Sequence, residues 1–277
     1  MRVRFCGVRG STSAPGAEFV RYGGHTSCVA LARDGARPTL VLDAGTGLRN
    51  LTAHLDGHPF RGTILLGHLH WDHTHGLPFF AGGIRTDAKV TVVMPAQGDD
   101  AEEVMERAFS PPHFPVTPAQ LEGDWRVTSI DEGKHLVEGF RVLVAEIPHK
   151  GGRTFGYRVS DGGATVAYLS DHNPIGAGDG PDGLGTYHPA AMALARDADV
   201  LIHDAQHTAA EFPAVSHFGH AAIEYAVGLA EAAGVRTLVL FHHDPSRPDD
   251  QLDALVAAHQ GGPVAVVGAA QGMVLDL

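Results

Sequence analysis

The sequence predicts an α/β protein built from two packed sheets with helices outside. Apolar runs rich in Val, Ile and Leu recur at strand length, and helical periodicity is confined to a few segments. The first half is strand-rich, whereas the last third alternates helix and strand, an order that suits sheets covered by outer helices.

Taken in order, strands are expected at residues 3–8, 26–32 and 39–44, followed by a helical segment at 48–55. A strand at 62–67 runs into a histidine-rich stretch, and a strand at 90–94 precedes a helix at 101–109. Residues 110–125 carry Pro111, Pro112, Pro115 and Pro118 and read as a loop, either plain surface or of the kind that grips substrates. Strands follow at 140–147, 155–159 and 165–170, the last two joined by a hairpin turn at Asp161-Gly162-Gly163. The Gly- and Asp-rich stretch 173–187 reads as a second long loop. Beyond it lie a helix at 189–196, a strand at 200–202 and a helix at 220–233, then a strand at 237–241, a helix at 252–259 and a strand at 264–267. In the 220–233 helix, Ile223, Ala226, Val227 and Ala230 share one face and Gly234 stops the chain. No linker interrupts this order, so residues 1–277 read as one domain.

Composition bounds the function. The chain has 277 residues, 44% hydrophobic and 19% charged, which is ordinary for a globular protein. No apolar run reaches the roughly 18 residues of a membrane span, and Met1 to Phe5 enters a strand with no apolar leader. Cys6 and Cys28 sit in apolar strand stretches and read as small buried hydrophobes of a cytoplasmic protein. Lys and Arg number 20 against 32 Asp and Glu, a net charge of −12. That is the opposite of the basic footprint that grips long nucleic acid, so an anionic substrate must be drawn locally, for instance by metal ions. The outlier is His, at 19, much of it in short clusters.

The central motif is His68-Leu69-His70-Trp71-Asp72-His73, entered directly from the apolar strand at 62–67. Three imidazoles and a carboxylate in six residues cannot be buried without partners. At a strand end they can converge on metal, and this donor set suits Zn, Mn or Fe(II) rather than Ca. Further residues of ligand type end later strands: His149, Asp171 and His242.

With these residues in view, the sequence resembles the metallo-β-lactamase superfamily of binuclear metallohydrolases, and within it the ribonuclease Z-like and cyclic phosphodiesterase branch. The branch is suggested by Gly219-His220 ahead of His242, by Leu201-Ile202-His203-Asp204-Ala205 and by Tyr168-Leu169-Ser170-Asp171. It is also suggested by Gly7-Val8-Arg9-Gly10-Ser11 and by the stretch from Tyr22 to Cys28. The resemblance spans nearly the whole chain and implies an αββα four-layer sandwich, two mixed sheets flanked by helices, with the site at one edge. It implies two divalent ions, zinc ahead of manganese or iron. One would take His68, His70 and His149, the other Asp72, His73 and His242, with Asp171 bridging. Asp43 would orient the ligand loop, His220 would protonate the leaving group and Asp204 would orient His220. Departures from the branch pattern are His25 in place of Asn, Asp204 in place of Glu, and His243-Asp244 in place of small residues. Only 21 residues separate His149 from Asp171, where tRNA-processing members carry a long arm.

These readings point to a hydrolase for a small or cyclic phosphodiester, a cyclic nucleotide or cyclic ribose phosphate, with no long nucleic acid or membrane as partner; a homodimer is compatible with them. Two ions about 3.5–4 Å apart would share the attacking hydroxide and polarise the phosphoryl oxygen. The alternatives are hydrolysis of a carboxylic ester, lactone or thioester on the same scaffold, or a metal-dependent ligand sensor without catalysis.

Overall fold

The structure is a computed structural model and describes residues 1–180 and 182–277. The described strands form two seven-stranded sheets. In spatial order the first holds β14 (Val274–Asp276), β1 (Arg2–Gly7), β2 (Cys28–Ala32), β3 (Leu40–Leu42), β4 (Arg61–Leu65), β5 (Lys89–Pro95) and β6 (Asp124–Ile130). The second holds β13 (Ala265–Gly268), β12 (Thr237–Phe241), β11 (Val200–Asp204), β10 (Thr165–Leu169), β9 (Phe155–Ser160), β8 (Phe140–Glu146) and β7 (Gly133–Val137). Both are mixed: β3 to β6 and β10 to β13 pair in parallel, and the other neighbours are antiparallel.

Strand alternation explains the layers. Val29, Leu31, Leu40 and Leu42 of the first sheet point inward onto Phe140, Val142, Tyr157 and Val166 of the second. Their neighbours Cys28, Ala30 and Val41 point outward and are covered by α1 (Leu48–Leu51) and α3 (Ala101–Ala108) through Leu48, Leu51, Val104 and Met105. On the other outer face, Leu169, Leu201 and Leu238 meet Leu194 of α4 (Pro189–Ala195) and Ala226 and Leu229 of α6 (Ile223–Ala232). Each large apolar side chain so buried contributes about 1.5–3 kcal/mol before entropy is counted. The short α2 (Trp71–Thr74) and α5 (Phe212–Val215) lie in connections, and α7 (Asp249–Ala258) packs on β13. This is the expected αββα sandwich. Cys6 and Cys28 are free and buried in the outer core of the first sheet, as the sequence suggested. No helix among the described residues is long and apolar enough to cross a membrane.

Several boundaries differ from the sequence reading. Strands β6, β7 and β14 were missed because they lie at sheet edges, β6 and β7 polar along much of their length and β14 only three residues long. The 110–125 loop yields its last two residues to β6 and contains a 3-10 turn at Pro118–Gln120. The 173–187 loop opens on a 3-10 turn at Pro174–Ala177, and its Pro181 lies outside the described residues. Helix α7 starts at Asp249, directly after Pro248, rather than at 252.

The difference that matters most for the site is at His220. It does not begin α6: Ala222 is held extended by a bridge to His207, and the helix starts at Ile223. The His207 N–H donates to Ala221 O at 3.2 Å and the Ile223 N–H donates to His207 O at 2.8 Å. His220 therefore lies outside α6, two residues before the paired Ala222.

Candidate metal centre

The site forms where strand ends meet. Asp43 follows β3, His68 follows β4, His149 follows β8, Asp171 follows β10, Asp204 ends β11 and His242 follows β12. Carboxyl ends of parallel strands are the usual place for ligands in such sheets, because loops there are free to vary while the sheet stays rigid. Asp72 and His73 ride on α2, which begins directly after His70, so a single helical turn presents both side chains.

All seven residues expected as ligands converge. His68, His70, His149 and Asp171 present atoms within 4.8 Å of one another, as do Asp72, His73, Asp171 and His242. Asp171 belongs to both groups. Its carboxylate lies 3.7 Å from His68 Nε2, 3.6 Å from His149 Nε2, 3.0 Å from His73 Nε2 and 3.4 Å from His242 Nε2. Asp72 Oδ2 lies 3.2 Å from His73 Nε2 and 3.1 Å from His242 Nε2, and the Ser11 N–H donates to it at 2.7 Å.

The donor set fits two cations. His68 Nε2, His73 Nε2 and Asp171 Oδ1 are buried without a hydrogen-bond partner. His73 Nε2 and Asp171 Oδ1 approach closely yet lack hydrogen-bond alignment, as expected of two donors aimed at a common third atom. Orphaned buried polar atoms are costly unless an ion satisfies them. Protonation follows the carboxylates. Burial, then the neighbouring imidazoles, hold His68 well below the usual histidine range despite Asp171, and burial also lowers His70 and His149. Burial opposes charge on His242 too, but Asp171, Asp72 and Asp204 outweigh it and lift it to about 9; His73 is raised for the same reason. Burial would raise the Asp171 carboxyl, yet His242, His73 and His68 hold it well below the usual carboxylate range. Cations would take the place of those protons.

A further layer orients the imidazoles. His73 Nδ1 donates to Asp43 Oδ2 at 2.7 Å, and the same buried carboxylate accepts from Gly67 N–H at 2.7 Å, Tyr168 O–H at 2.7 Å and Ser170 O–H at 3.1 Å. His149 Nδ1 donates to Gly219 O at 2.8 Å. His242 Nδ1 lies 3.2 Å from Gln206 Oε1. Such partners fix which nitrogen faces inward. Ser11, Asp43 and His242 all take left-handed backbone, with φ of 59°, 61° and 56°. Strain of this kind, about 1–3 kcal/mol per residue, clusters at functional sites.

His220 reaches the edge of this cluster. Its Nδ1 lies 3.0 Å from Asp204 Oδ2, and its ring stacks 4.8 Å from that of His242. Asp204 is fully buried and accepts the His172 N–H at 3.1 Å and the Gln206 N–H at 3.1 Å, so its carboxylate is held in place. His203 packs behind, 3.1 Å from His172 Nδ1, and His243 is buried against Ala269 O, whereas His217 is exposed. His54 and His58 are exposed, and His135 and His259 are half-buried. The sequence reading missed Gln206 and the Ser11 backbone. Gln206 follows the end of β11, so the strand-end pattern that found the other residues could have reached it.

A family model for the beta-lactamase superfamily domain matches residues 39–243, which span every cluster residue. The chain belongs to the metallo-β-lactamase superfamily. Among curated relatives, ribonuclease Z of Geobacillus kaustophilus is 26% identical over 258 residues, covering 79% of this chain and 82% of that protein. Among solved structures, the metallo-β-lactamase fold protein YhfI of Bacillus subtilis superposes with a TM-score of 0.71 at 18% identity, over 99% of both chains. The zinc-bound PqqB of Methylobacterium extorquens gives 0.71 at 20% identity over 100% of both chains. The chain is thus a metal-dependent hydrolase of the metallo-β-lactamase superfamily, with the histidine and aspartate cluster as its candidate metal site.

Proposed function

We propose that the chain is a binuclear phosphodiesterase for a small or cyclic phosphodiester, with residues 1–277 acting as one catalytic domain. The observation that carries this is the pairing of two donor groups through Asp171 with a histidine, His220, held at their edge by a buried carboxylate. His68, His70 and His149 would hold one ion, Asp72, His73 and His242 the other, with Asp171 shared between them. Imidazole and carboxylate donors favour zinc, with manganese or iron as alternatives. Such an ion pair supplies an activated water and a Lewis acid for the phosphoryl group.

The protein's own residues do the rest. Asp204 accepts the His220 Nδ1–H and fixes the ring, so Nε2 is the nitrogen left to face the departing oxygen. Asp43 keeps His73 turned inward, and the Gly219 carbonyl does the same for His149. A positioned acid matters for a poor alkoxide leaving group such as the ribosyl oxygen of a phosphodiester.

The relatives' name, ribonuclease Z, speaks for an RNA substrate. Two features of this chain favour a small one. The interval from His149 to Asp171 holds only the β9–β10 hairpin, and the net charge is −12. Free thiols at Cys6 and Cys28 fit a reducing cytoplasm. The test is hydrolysis of bis-p-nitrophenyl phosphate after reconstitution with Zn or Mn, with an ester and a lactone alongside. Preference for the phosphodiester is expected; turnover of the ester or lactone alone would overturn the reading.

A further inference from the structure

The stretch Gly7-Val8-Arg9-Gly10-Ser11 holds no residue of the two donor groups, yet its third residue is an arginine with no exposed surface. Arg9 Nε donates to Gly23 O at 2.8 Å, Nη1 to Asp244 O at 3.2 Å and to Arg247 O at 2.8 Å, and Nη2 to Asp249 Oδ1 at 3.3 Å. Its backbone is held as well. The Arg9 N–H donates to His25 O at 2.9 Å, the His243 N–H to Val8 O at 3.0 Å and the Gly10 N–H to His243 O at 2.9 Å. A buried ion pair of this kind adds little to stability, because desolvation offsets the attraction and apolar groups of similar volume often serve as well. What the guanidinium supplies is geometry: one rigid planar fork ties the chain at Gly23 to residues 244–249.

The two residues after Arg9 meet one half of the cluster. The Ser11 N–H donates to Asp72 Oδ2 at 2.7 Å. Gly10 lies so near His242 that a Cβ on it would sit 2.3 Å from the ring's Nδ1. Gln206 links the same parts: its Nε2 donates to Ser11 Oγ at 3.2 Å, its Oε1 lies 3.2 Å from His242 Nδ1, and its carbonyl accepts from Arg247 at 3.1 Å. Ser11 takes left-handed backbone, with φ of 59°, which a serine keeps only where its surroundings enforce it. Among the described residues, 9–11 make no hydrogen bond to His68, His70 or His149. The brace therefore reaches two of the three ligands expected for one ion and none of the three expected for the other.

We propose that Arg9 is a positioning residue of the metal centre. Through Gly10 and Ser11 it sets Asp72 and His242, and so governs the affinity of the ion held by Asp72, His73 and His242 while leaving the ion held by His68, His70 and His149 alone. This rests on the binuclear reading and adds to it a residue that supplies no ligand. Asp249 carries the brace outward: its carboxylate accepts from Arg9 and from the Arg21 and Tyr22 N–H groups, and bonds no residue of the cluster.

Zinc affinity, read by competition with a chromogenic chelator, tests this without any turnover. His70→Ala keeps the group of Asp72, His73 and His242, and Asp72→Ala keeps the group of His68, His70 and His149, so each background reports one ion. Arg9→Lys keeps the charge and loses the planar fork. It should weaken zinc about tenfold in the His70→Ala background and leave it unchanged in the Asp72→Ala background. Asp249→Asn, a milder change away from the donors, should give a smaller loss with the same selectivity, and it decides the matter if Arg9→Lys does not fold. A merely structural role would lower the urea midpoint and weaken both ions alike. Equal losses in the two backgrounds, or none in either, overturn the proposal alone. A wild type that takes up a single zinc overturns the binuclear reading and the role of Arg9 with it. Selective loss in a protein inactive on phosphodiesters would sustain the role of Arg9 and refute only the phosphodiesterase reading.

Discussion

At the scale of single residues, the sharpest division is between side chains proposed to act and those that orient them. His220→Ala should leave metal content and folding nearly intact and cut activity about 10²–10⁴-fold. The loss should depend on the leaving group: p-nitrophenolate needs little protonation and should be spared, whereas a ribosyl alkoxide should suffer most. If both substrates fall equally, His220 is scaffold. Asp43→Ala tests an orienting residue. Its buried carboxylate accepts four hydrogen bonds, one from His73, so its removal should cost about 3–5 kcal/mol in urea unfolding as well as metal affinity. A variant with unchanged unfolding would refute that role. Gly10 tests close packing behind an expected ligand. A Cβ there would sit 2.3 Å from His242 Nδ1, so Gly10→Ala should push the ring aside and weaken metal binding without touching any donor. Metal titration of the variant, compared with wild type, reads this out; equal affinity would show that the ring can yield.

At the scale of elements, the site is as rigid as the strands that end in it. Helix α6 clamps the second sheet, and Leu229 on it is fully buried among Leu194, Leu201 and Leu238. Leu229→Ala should destabilise by about 2–5 kcal/mol, measured by urea unfolding; a loss under about 0.5 kcal/mol would mean that α6 does not brace the sheet. This level also shows what the sequence could and could not reveal. The central strands were legible because burial on both faces makes them continuous apolar runs. The candidate-site positions His68, His149, Asp171 and His242 were legible because each follows a strand. Edge strands β6 and β7 were hidden because half their side chains face water. The start of α6 was misplaced because Ala221 and Ala222 are good helix formers, yet pairing with His207 holds Ala222 extended. Orienting contacts such as Gln206 with His242 join positions 36 residues apart, and no local pattern encodes that.

At the scale of the whole molecule, charge and shape together bear on the substrate. A surface of net charge −12 repels long phosphate backbones, and the short hairpin between His149 and Asp171 offers no arm to grip them. A tRNA precursor should therefore be processed poorly beside a cyclic nucleotide under the same conditions; efficient, accurate 3′ trimming would refute this. The site itself gathers residues from 43 to 242 at one edge of both sheets, which is why only the whole fold, not any single motif, assembles two donor groups. The central claim is that the two groups hold two ions that act together. Zinc titrated into metal-free protein, with bis-p-nitrophenyl phosphate hydrolysis followed at each addition, tests it most directly. Activity should rise to a plateau at two equivalents per chain. Full activity without metal, or a plateau at one equivalent, would contradict it.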